Sequence, residues 1–550
     1  MGGKGAIALV LNAHFPFFKE CASPRGKTFP TASAPPPTAN PRNDPKLESA
    51  QESLFFEELS QTYLPLLEVI DRLEGDGVPF RLAVAVSPLL GQMLGDPDLM
   101  GRYAAHLDRQ ISFGEREAER AGGDEGRAKL ARLYMDQAID RRASLATRYG
   151  DGILSALCHP RRRDKIEILA TPATAAFIPF LCAHPESAQA QVDVGLSFSR
   201  HALGASPRGF WLPGLGWSGG ADPLLRSFGL SYAVVESHGV VHGEPPPSRG
   251  TFFPVKTPGG LVLLGRDRRA ALDMEAMRAD GAYRDNGRDA GHELPAELVE
   301  PFLARNGARC HTGFKYWRAE RGGNDGLPYE PEPAARAAEG HARAFLDNRR
   351  EQLAQAALLM KDRPLSLCAF DAGFFGSRWH EGPRFLESLF RLAADATDAE
   401  FVTPSEYIAR QDAGAFEECE PAFSSWGENG YAERWLDSSS DWIYRHLARA
   451  CERMVEIAER FHDDSWVRER ALNQAARELL LAQSSDWPEL LRRQDSADFA
   501  RACAEGALRN FSAIYDAMSS NRISTEWLTD LERRRGVFPD INYRVFRRKR

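Results

Sequence analysis

Three polar side chains lie at or within three residues of the ends of short apolar runs of this sequence. They are His14 after residues 7–11, Glu236 after residues 232–235 and Asp371 after residues 365–370. Carboxylates serve as nucleophiles or as general acids and bases, and histidine is a common proton carrier. Each residue also has a structural interpretation, since His14 could be a core histidine and Asp371 a helix cap or turn residue. Their shared position after apolar runs makes them candidates for chemistry.

The apolar runs predict the strands that would position these groups. Residues 7–11 read as a buried parallel strand, and an amphipathic helix follows from Phe56 to Leu73. A second strand is predicted at 80–86, which completes a strand–helix–strand unit. Further buried strands are predicted at 166–169, 210–212, 232–235, 365–370 and 401–402. The pattern predicts an α/β fold, an incomplete (β/α)7-type barrel with its chemistry at the C-terminal face.

The remaining segments predict the domain organisation. From about residue 424 the pattern changes to helices only, with one apolar stripe through Ile443, Leu447 and Cys451. We predict a barrel over 1–238 and 296–415, an inserted subdomain over 239–295 and a helical C-terminal domain over 416–550. The Pro-rich stretch 21–46 and the glycine-rich stretch 322–326 are predicted to be flexible loops.

Composition narrows the class of protein. The chain has 550 residues, 43% of them hydrophobic, and a formal charge of −8, which argues against nucleic acid as the main partner. Its basic C-terminus, Arg547 to Arg550, is interpreted as a solvated tail. No segment reads as a membrane span or a secretory leader. The eight cysteines form no Cys-x-x-Cys pair, and Cys310-His311 lacks further ligands, so no disulfide framework, metal site or cofactor is predicted and a cytoplasmic location is expected.

Five segments, in the same order along the chain, resemble glycoside hydrolase family 57. They are Leu-Asn-Ala-His-Phe-Pro ending at Pro16, Ala-Thr-Ala-Ala-Phe-Ile-Pro ending at Pro179, Gly-Phe-Trp-Leu-Pro-Gly-Leu-Gly-Trp from Gly209 to Trp217, the run Phe370 to Pro383, and the helical-domain motifs around Trp426 and Asp486-Trp487. The last group is similar to the branching-enzyme branch of that family. The resemblance implies a sugar-transfer scaffold that acts on α-1,4-glucans.

Several polar positions of the family pattern are changed in this chain. Gly214 stands where the resemblance places the nucleophilic Glu, whereas Asp371 and His14 are kept. The other changes are Asn12 and Ala175 for His, Gly373 for Glu, Ser377 for His and Arg378 for Trp. The apolar and glycine framework around them is intact.

The loss at position 214 bears directly on the reaction. In retaining sugar transfer one carboxylate attacks the anomeric carbon, and a second, roughly 5–5.5 Å away, protonates the leaving oxygen. By resemblance Asp371 is the general acid/base, and without a nucleophile no covalent intermediate forms. The change from Glu to Gly is expected to leave a small void that admits an anion such as azide. Glu236, at the end of a neighbouring strand, is the alternative nucleophile.

The aromatic residues of these motifs are candidates for substrate binding, because aromatic faces stack on sugar rings. The predicted substrate-binding set is His14, Trp211, Trp217, His238, Trp379, Trp426 and Asp486. The four tryptophans could equally be core residues, and Asp486 could end a helix.

The sequence therefore predicts a family 57 homologue of α-1,4-glucan branching enzymes whose catalysis is impaired. It would act as an α-glucan-binding or regulatory relative, with α-1,4-glucan or glycogen as its partner. Two alternatives remain open. One is an active enzyme that uses a displaced carboxylate such as Glu236 or takes a different substrate, and the other is a protein that acts through contacts with glycogen-metabolism enzymes.

Overall fold

The computed structural model describes residues 5–18, 49–159, 162, 164–304, 307–319, 326–412, 414–461, 465–493 and 496–548. The Pro-rich stretch 21–46, the glycine-rich stretch up to residue 325 and the last two residues of the basic C-terminus lie outside these ranges.

The predicted strands are present, with boundaries that shift by one or two residues. The strands of the described chain are β1 Gly5–Ala13, β2 Leu82–Val86, β3 Ile166–Leu169, β4 Gly209–Trp211, β5 Tyr232–Val235, β6 Val255–Lys256, β7 Val262–Gly265, β8 Leu365–Asp371, β9 Ala399–Phe401 and β10 Glu417–Glu418. β1 and β8 are almost wholly buried. Burial on both faces explains their near-continuous apolar sequences.

The strands form two sheets that share one interior. The first has the order β3-β2-β1-β8 with β9 also on β1, and the second has the order β10-β6-β7-β5-β4. Most neighbours are parallel, and β6 with β7 is antiparallel. A bridge between Ala170 and Phe210 joins the sheets on one side, and the amide of Asp267 donates to the Leu367 carbonyl at 2.7 Å on the other. The α/β fold class is confirmed.

Helices cover the sheets and make up the C-terminal part of the chain. They are α1 Ala50–Glu58, α2 Leu64–Gly75, α3 Pro88–Leu94, α4 Pro97–Arg120, α5 Glu125–Ala146, α6 Ile153–Leu157, α7 Ile178–Leu181, α8 Pro185–His201, α9 Ala221–Ser227, α10 Ser237–Val241, α11 Arg268–Arg278, α12 Ala290–Glu293, α13 Pro331–Leu359, α14 Gly382–Ala394, α15 Pro404–Ala409, α16 Asp441–Arg460, α17 Trp466–Ala482, α18 Asp486–Leu491, α19 Ala497–Ser519 and α20 Thr525–Arg535. A π-helical turn, Leu59–Tyr63, joins α1 to α2.

Two segments bear on the predicted domain organisation. Segment 239–295 contributes β7, which pairs in parallel with β5, and segment 416–550 contributes β10, which pairs with β6. Segment 239–295 therefore pairs with a strand of the predicted barrel, whereas segment 416–550 pairs with a strand of the predicted inserted subdomain. Of the helices that the structure describes, none is both long and apolar enough to cross a membrane.

Candidate active site

Most of the predicted site residues lie at the carboxyl ends of the strands, along one edge of the fold. His14 follows β1, Gly214 lies just beyond β4, Glu236 follows β5 and Asp371 is the last residue of β8. In barrel-like α/β proteins this edge carries the chemistry. The strand-end position of these residues is thus as the sequence predicted, while their roles stay predictions.

Both carboxylate oxygens of Asp371 accept hydrogen bonds from neighbouring side chains. Its Oδ1 accepts a hydrogen bond from Nδ2 of Asn12 at 3.1 Å, and its Oδ2 accepts one from Nη2 of Arg378 at 3.3 Å. Asn12 and Asp371 face each other in the β1–β8 ladder, so the sheet register sets the first contact. A carboxylate with both oxygens engaged is fixed in direction.

Asp371 opens onto a cleft of about 480 Å³. The cleft is lined by charged and aromatic side chains, among them Glu236, His238, Arg266, Asp371, Arg378, Trp426, Tyr431 and Arg434. Arg266, Tyr431 and Arg434 were missed by the sequence analysis. Arg266 directly follows β7, and a polar residue at a strand end is a signal for a site residue. The sequence analysis did not predict β7, so it could not use this signal.

Glu236 lies in the same cleft as Asp371, with its own oxygens occupied. Its Oε1 accepts hydrogen bonds from the amide and the hydroxyl of Ser237 at 3.0 and 3.2 Å, and Oε2 pairs with Nη1 of Arg266 at 3.2 Å. His238 contacts the carbonyl of Gly430 through Nε2 at 2.8 Å. Both predicted residues therefore sit at the cleft.

His14 and Asp486 form a pair beside Asp371. Nε2 of His14 lies 2.9 Å from Oδ1 of Asp486, and Nδ1 lies 2.8 Å from the hydroxyl of Ser87, which also caps α3. Burial alone would lower the pKa of His14, but the Asp486 carboxylate, helped by Asp371 and Glu489, raises that pKa above 6.5. The protonated imidazole is thus favoured next to the carboxylate.

The surroundings of Gly214 differ from the expected void. Its backbone has φ +61°, and a Cβ on this residue would overlap the indole ring of Trp435. Trp435 is buried and stacks on Phe177 with ring centroids 4.2 Å apart and an interplanar angle of 16°. The predicted void is therefore wrong, because an aromatic stack fills the space beside Gly214. The carbonyl of Gly214 accepts from the amide of Trp426 at 2.7 Å.

The four predicted tryptophans separate into core and cleft positions. Trp211, Trp217 and Trp379 are at most 1% exposed, so none presents an open face to a sugar ring in this structure. Trp426 lines the cleft, where the guanidinium of Arg266 lies 5.4 Å from its ring. Tyr431, at 57% exposed, presents a more open aromatic ring at the same cleft.

Glu58, at the end of α1, occupies the space beside Gly373. A Cβ on Gly373 would lie 2.6 Å from Oε1 of Glu58. The Glu58 carboxyl makes side-chain hydrogen bonds with Ser377 and Thr62, and burial raises its pKa while these bonds and Arg378 partly oppose that rise. The sequence carries no local signal for Glu58, because its relation to Gly373 arises only in the fold.

The described residues also bear on the predictions for metal sites and disulfide bonds. Within them, no group of three or more His, Cys, Asp or Glu side chains has the geometry to hold a metal ion. Cys503 is disulfide-bonded, although the sequence analysis predicted no disulfide framework, and six other described cysteines are free.

The structure is an α/β unit with polar residues at its strand ends, followed by a helical unit, and this is the architecture that the sequence predicted. Residues 42–285 match the model of glycosyl hydrolase family 57, and residues 446–546 match that of the 1,4-alpha-glucan branching enzyme C-terminal domain. The chain belongs to glycoside hydrolase family 57 and is a homologue of its branching enzymes.

Individual relatives agree with this assignment. The chain is 25% identical over 476 residues to the 1,4-alpha-glucan branching enzyme TK1436 of Thermococcus kodakarensis, a match that covers 82% of this chain and 68% of that protein. It is similar over the full length of both chains to the alpha-amylase AmyC of Thermotoga maritima, at 30% identity and a TM-score of 0.88. The family 57 branching enzyme of Pyrococcus horikoshii shares the fold at 23% identity and a TM-score of 0.84, with 99% of this chain and 97% of that one covered.

Proposed function

We propose that this protein binds α-1,4-glucan or glycogen in the cleft beside Asp371 and does not perform retaining transfer through residue 214. The observation that carries the proposal is the aromatic stack next to Gly214. Retaining transfer requires a carboxylate on each side of the scissile bond, roughly 5–5.5 Å apart. Here the backbone is left-handed at 214 and the Trp435 ring takes the space in which a side chain would begin.

The cleft supports binding through features that do not depend on a nucleophile. Asp371 is oriented by Asn12 and Arg378, and Tyr431 offers an exposed ring beside them. Charged donors and acceptors next to an aromatic face suit a ligand that has hydroxyl groups and apolar ring faces. The names of the relatives, branching enzyme and alpha-amylase, support an α-glucan as that ligand.

Affinity electrophoresis in glycogen, run beside an iodine-staining and chain-length assay on amylose, tests the proposal. We expect retention of the unmodified protein and no new branches. Tyr431→Ala should weaken retention by about tenfold, the scale of losing an aromatic contact. Trp466→Ala is the matched control, because Trp466 is 68% exposed and lies on the helical domain outside the cleft. Efficient branching by the unmodified protein would contradict the proposal.

A second candidate function is an active glucan-cleaving or glucan-transferring enzyme that uses Glu236. It is favoured by one observation, that Glu236 and Asp371 line the same cleft. Its weakness is that both Glu236 oxygens are engaged, by Ser237 and by Arg266. If the assay detects turnover, Glu236→Gln should abolish it, whereas turnover that survives this change would exclude Glu236 as the nucleophile. A cytoplasmic location and contacts with glycogen-metabolism enzymes stay predictions.

A further inference from the structure

A second depression lies away from the cleft, between helices α16 and α19 of the helical domain. It measures about 620 Å³ and is formed by Trp442 and His446 from α16 and by a row of residues from α19 between Glu505 and Asp516. Residues 505, 508, 509, 512, 513 and 516 recur at helical spacing, so they share one face of α19. At 1.5 Å per residue this face runs for about 16 Å, which makes the depression a groove.

The groove is lined by the partly buried ring of Trp442, whose indole N–H already has a hydrogen-bond acceptor. Nε1 of Trp442 donates to the Ser439 carbonyl at 3.1 Å, which fixes the orientation of the ring. The Arg501 guanidinium lies 5.1 Å from the ring centroid. Leu508 and Ala513 extend the apolar floor. A ligand that uses this floor must therefore offer apolar ring faces rather than acceptors for the indole N–H.

The rim of the groove carries planar polar side chains of both signs. Glu505 and Arg509 lie 3.4 Å apart at Oε2 and Nη2, and Asp516 and His446 stand farther along. Since carboxylates and a guanidinium are both present, neither anions nor cations are strongly preferred. Side-by-side donors and acceptors suit hydroxyl groups, which do both.

The segment of chain that lines the cleft leads directly into the helix that lines the groove. The loop from Ser425 to Arg434 lines the cleft, and it leads into α16, whose first turn carries Trp442. The hydroxyl of Tyr444 on α16 also contacts the carbonyl of Trp435. Two binding sites on one molecule can hold a single polymer, and the second contact then occurs at an effective concentration that the distance between the sites sets.

We propose that the Trp442 groove is a second, surface binding site for an α-glucan chain. The choice of an α-glucan rests on the function proposed above. The side chains that line the groove suit a neutral polyhydroxylated chain with apolar ring faces. The groove would hold one branch of a glycogen particle while the cleft holds another.

The test compares glycogen-gel mobility for four proteins: the unmodified chain, Trp442→Ala, Asp516→Ala and the control Trp466→Ala. We expect Trp442→Ala to weaken retention by about tenfold and Asp516→Ala to weaken it less, with Trp466→Ala unchanged. Asp516 is exposed on α19, so its substitution tests the groove without removing a packed side chain.

The outcomes separate this proposal from the cleft proposal. Loss of retention in Tyr431→Ala, with unchanged retention in Trp442→Ala and Asp516→Ala, would overturn the groove and leave the cleft. The reverse pattern would support the groove and overturn the cleft. Unchanged mobility in all variants would overturn both, and a groove variant that alters only self-association would identify the groove as a protein contact instead.

Discussion

The ends of strands β4 and β8 each carry a glycine where the resemblance to the family pattern predicts a carboxylate, and the space beside the two glycines is filled differently. Beyond β4, Gly214 is covered by Trp435, which stacks on Phe177 in an apolar cluster. Beyond β8, the room beside Gly373 is taken by the carboxyl of Glu58, while Arg378 pairs with Asp371. Apolar packing fills the space at the end of β4, and polar contacts fill it at the end of β8.

Because of this difference, the two strand ends differ in whether they can contact a ligand. An apolar stack beside Gly214 leaves no room for a substrate atom or an attacking group. At β8 the carboxylate of Asp371 keeps two hydrogen-bond donors and an open cleft in front of it. The proposed binding at Asp371 without chemistry at Gly214 rests on this contrast. It also explains why Gly214→Glu alone should recover little activity.

The largest expected effect is that of Trp435→Ala. Removing a buried aromatic side chain leaves a cavity, and such changes typically cost about 3–5 kcal/mol of unfolding free energy. Urea denaturation followed by circular dichroism measures it, with Trp466→Ala as a control expected within about 0.5 kcal/mol of the unmodified protein. A cost below about 1 kcal/mol would mean that Trp435 does not hold the β4 end together.

Gly214→Ala should have the next largest effect. The substitution places a Cβ against the Trp435 ring and forces alanine into a left-handed backbone, for a combined cost of about 2–4 kcal/mol. Gly204→Ala is the matched control, because Gly204 has φ +59° and a Cβ added there would meet no atom within 4 Å. Only the backbone cost of about 1–2 kcal/mol then applies to the control. Equal midpoints in urea for the two variants would contradict the packing at Gly214.

The sequence was sufficient for the elements that are locally encoded. Continuous apolar runs predicted β1, β3, β5 and β8, and helical periodicity predicted the C-terminal domain. β7 was missed because it lies in a segment rich in Gly, Pro, Arg and Asp, which reads as loops. Its partner β5 supplies the pairing that makes it a strand.

The candidate site was predictable where the motif alone places a residue at a strand end. His14, Glu236 and Asp371 belong to that group. The contacts of Gly214 with Trp435 and of Gly373 with Glu58 were not predictable, because each joins residues far apart in the chain. The burial of Trp217 and Trp379 has the same origin, since only tertiary packing decides whether a tryptophan faces a ligand or the core.

A double-mutant cycle on Gly373 and Glu58 tests the polar replacement at β8. Gly373→Ala alone should cost about 1 kcal/mol, since the Glu58 carboxyl is the end of a flexible side chain and can shift. In a Glu58→Ala background the same change should cost less, with a coupling of at least about 0.5 kcal/mol in unfolding free energy. Additive effects would show that Glu58 and Gly373 are independent. Gly340→Ala, on α13 with no neighbour near its Cβ position, controls for glycine replacement itself.

The smallest expected effect is a pH dependence at the His14–Asp486 pair, which adjoins Asp371. Because the folded-state pKa of His14 is raised above 6.5, its stabilisation is fully present below pH 6.5 and is lost as pH rises through the folded pKa. Each unit of pKa difference corresponds to about 1.4 kcal/mol. Asp486→Asn should therefore lower the pKa of His14 in an NMR titration and flatten the loss of stability above pH 6.5. Asp540→Asn is the control, because the His201–Asp540 pair has a similar separation of 3.3 Å but is largely exposed. An unchanged His14 titration in Asp486→Asn would show that Asp371 and Glu489, rather than Asp486, hold the proton at the β8 side of the site.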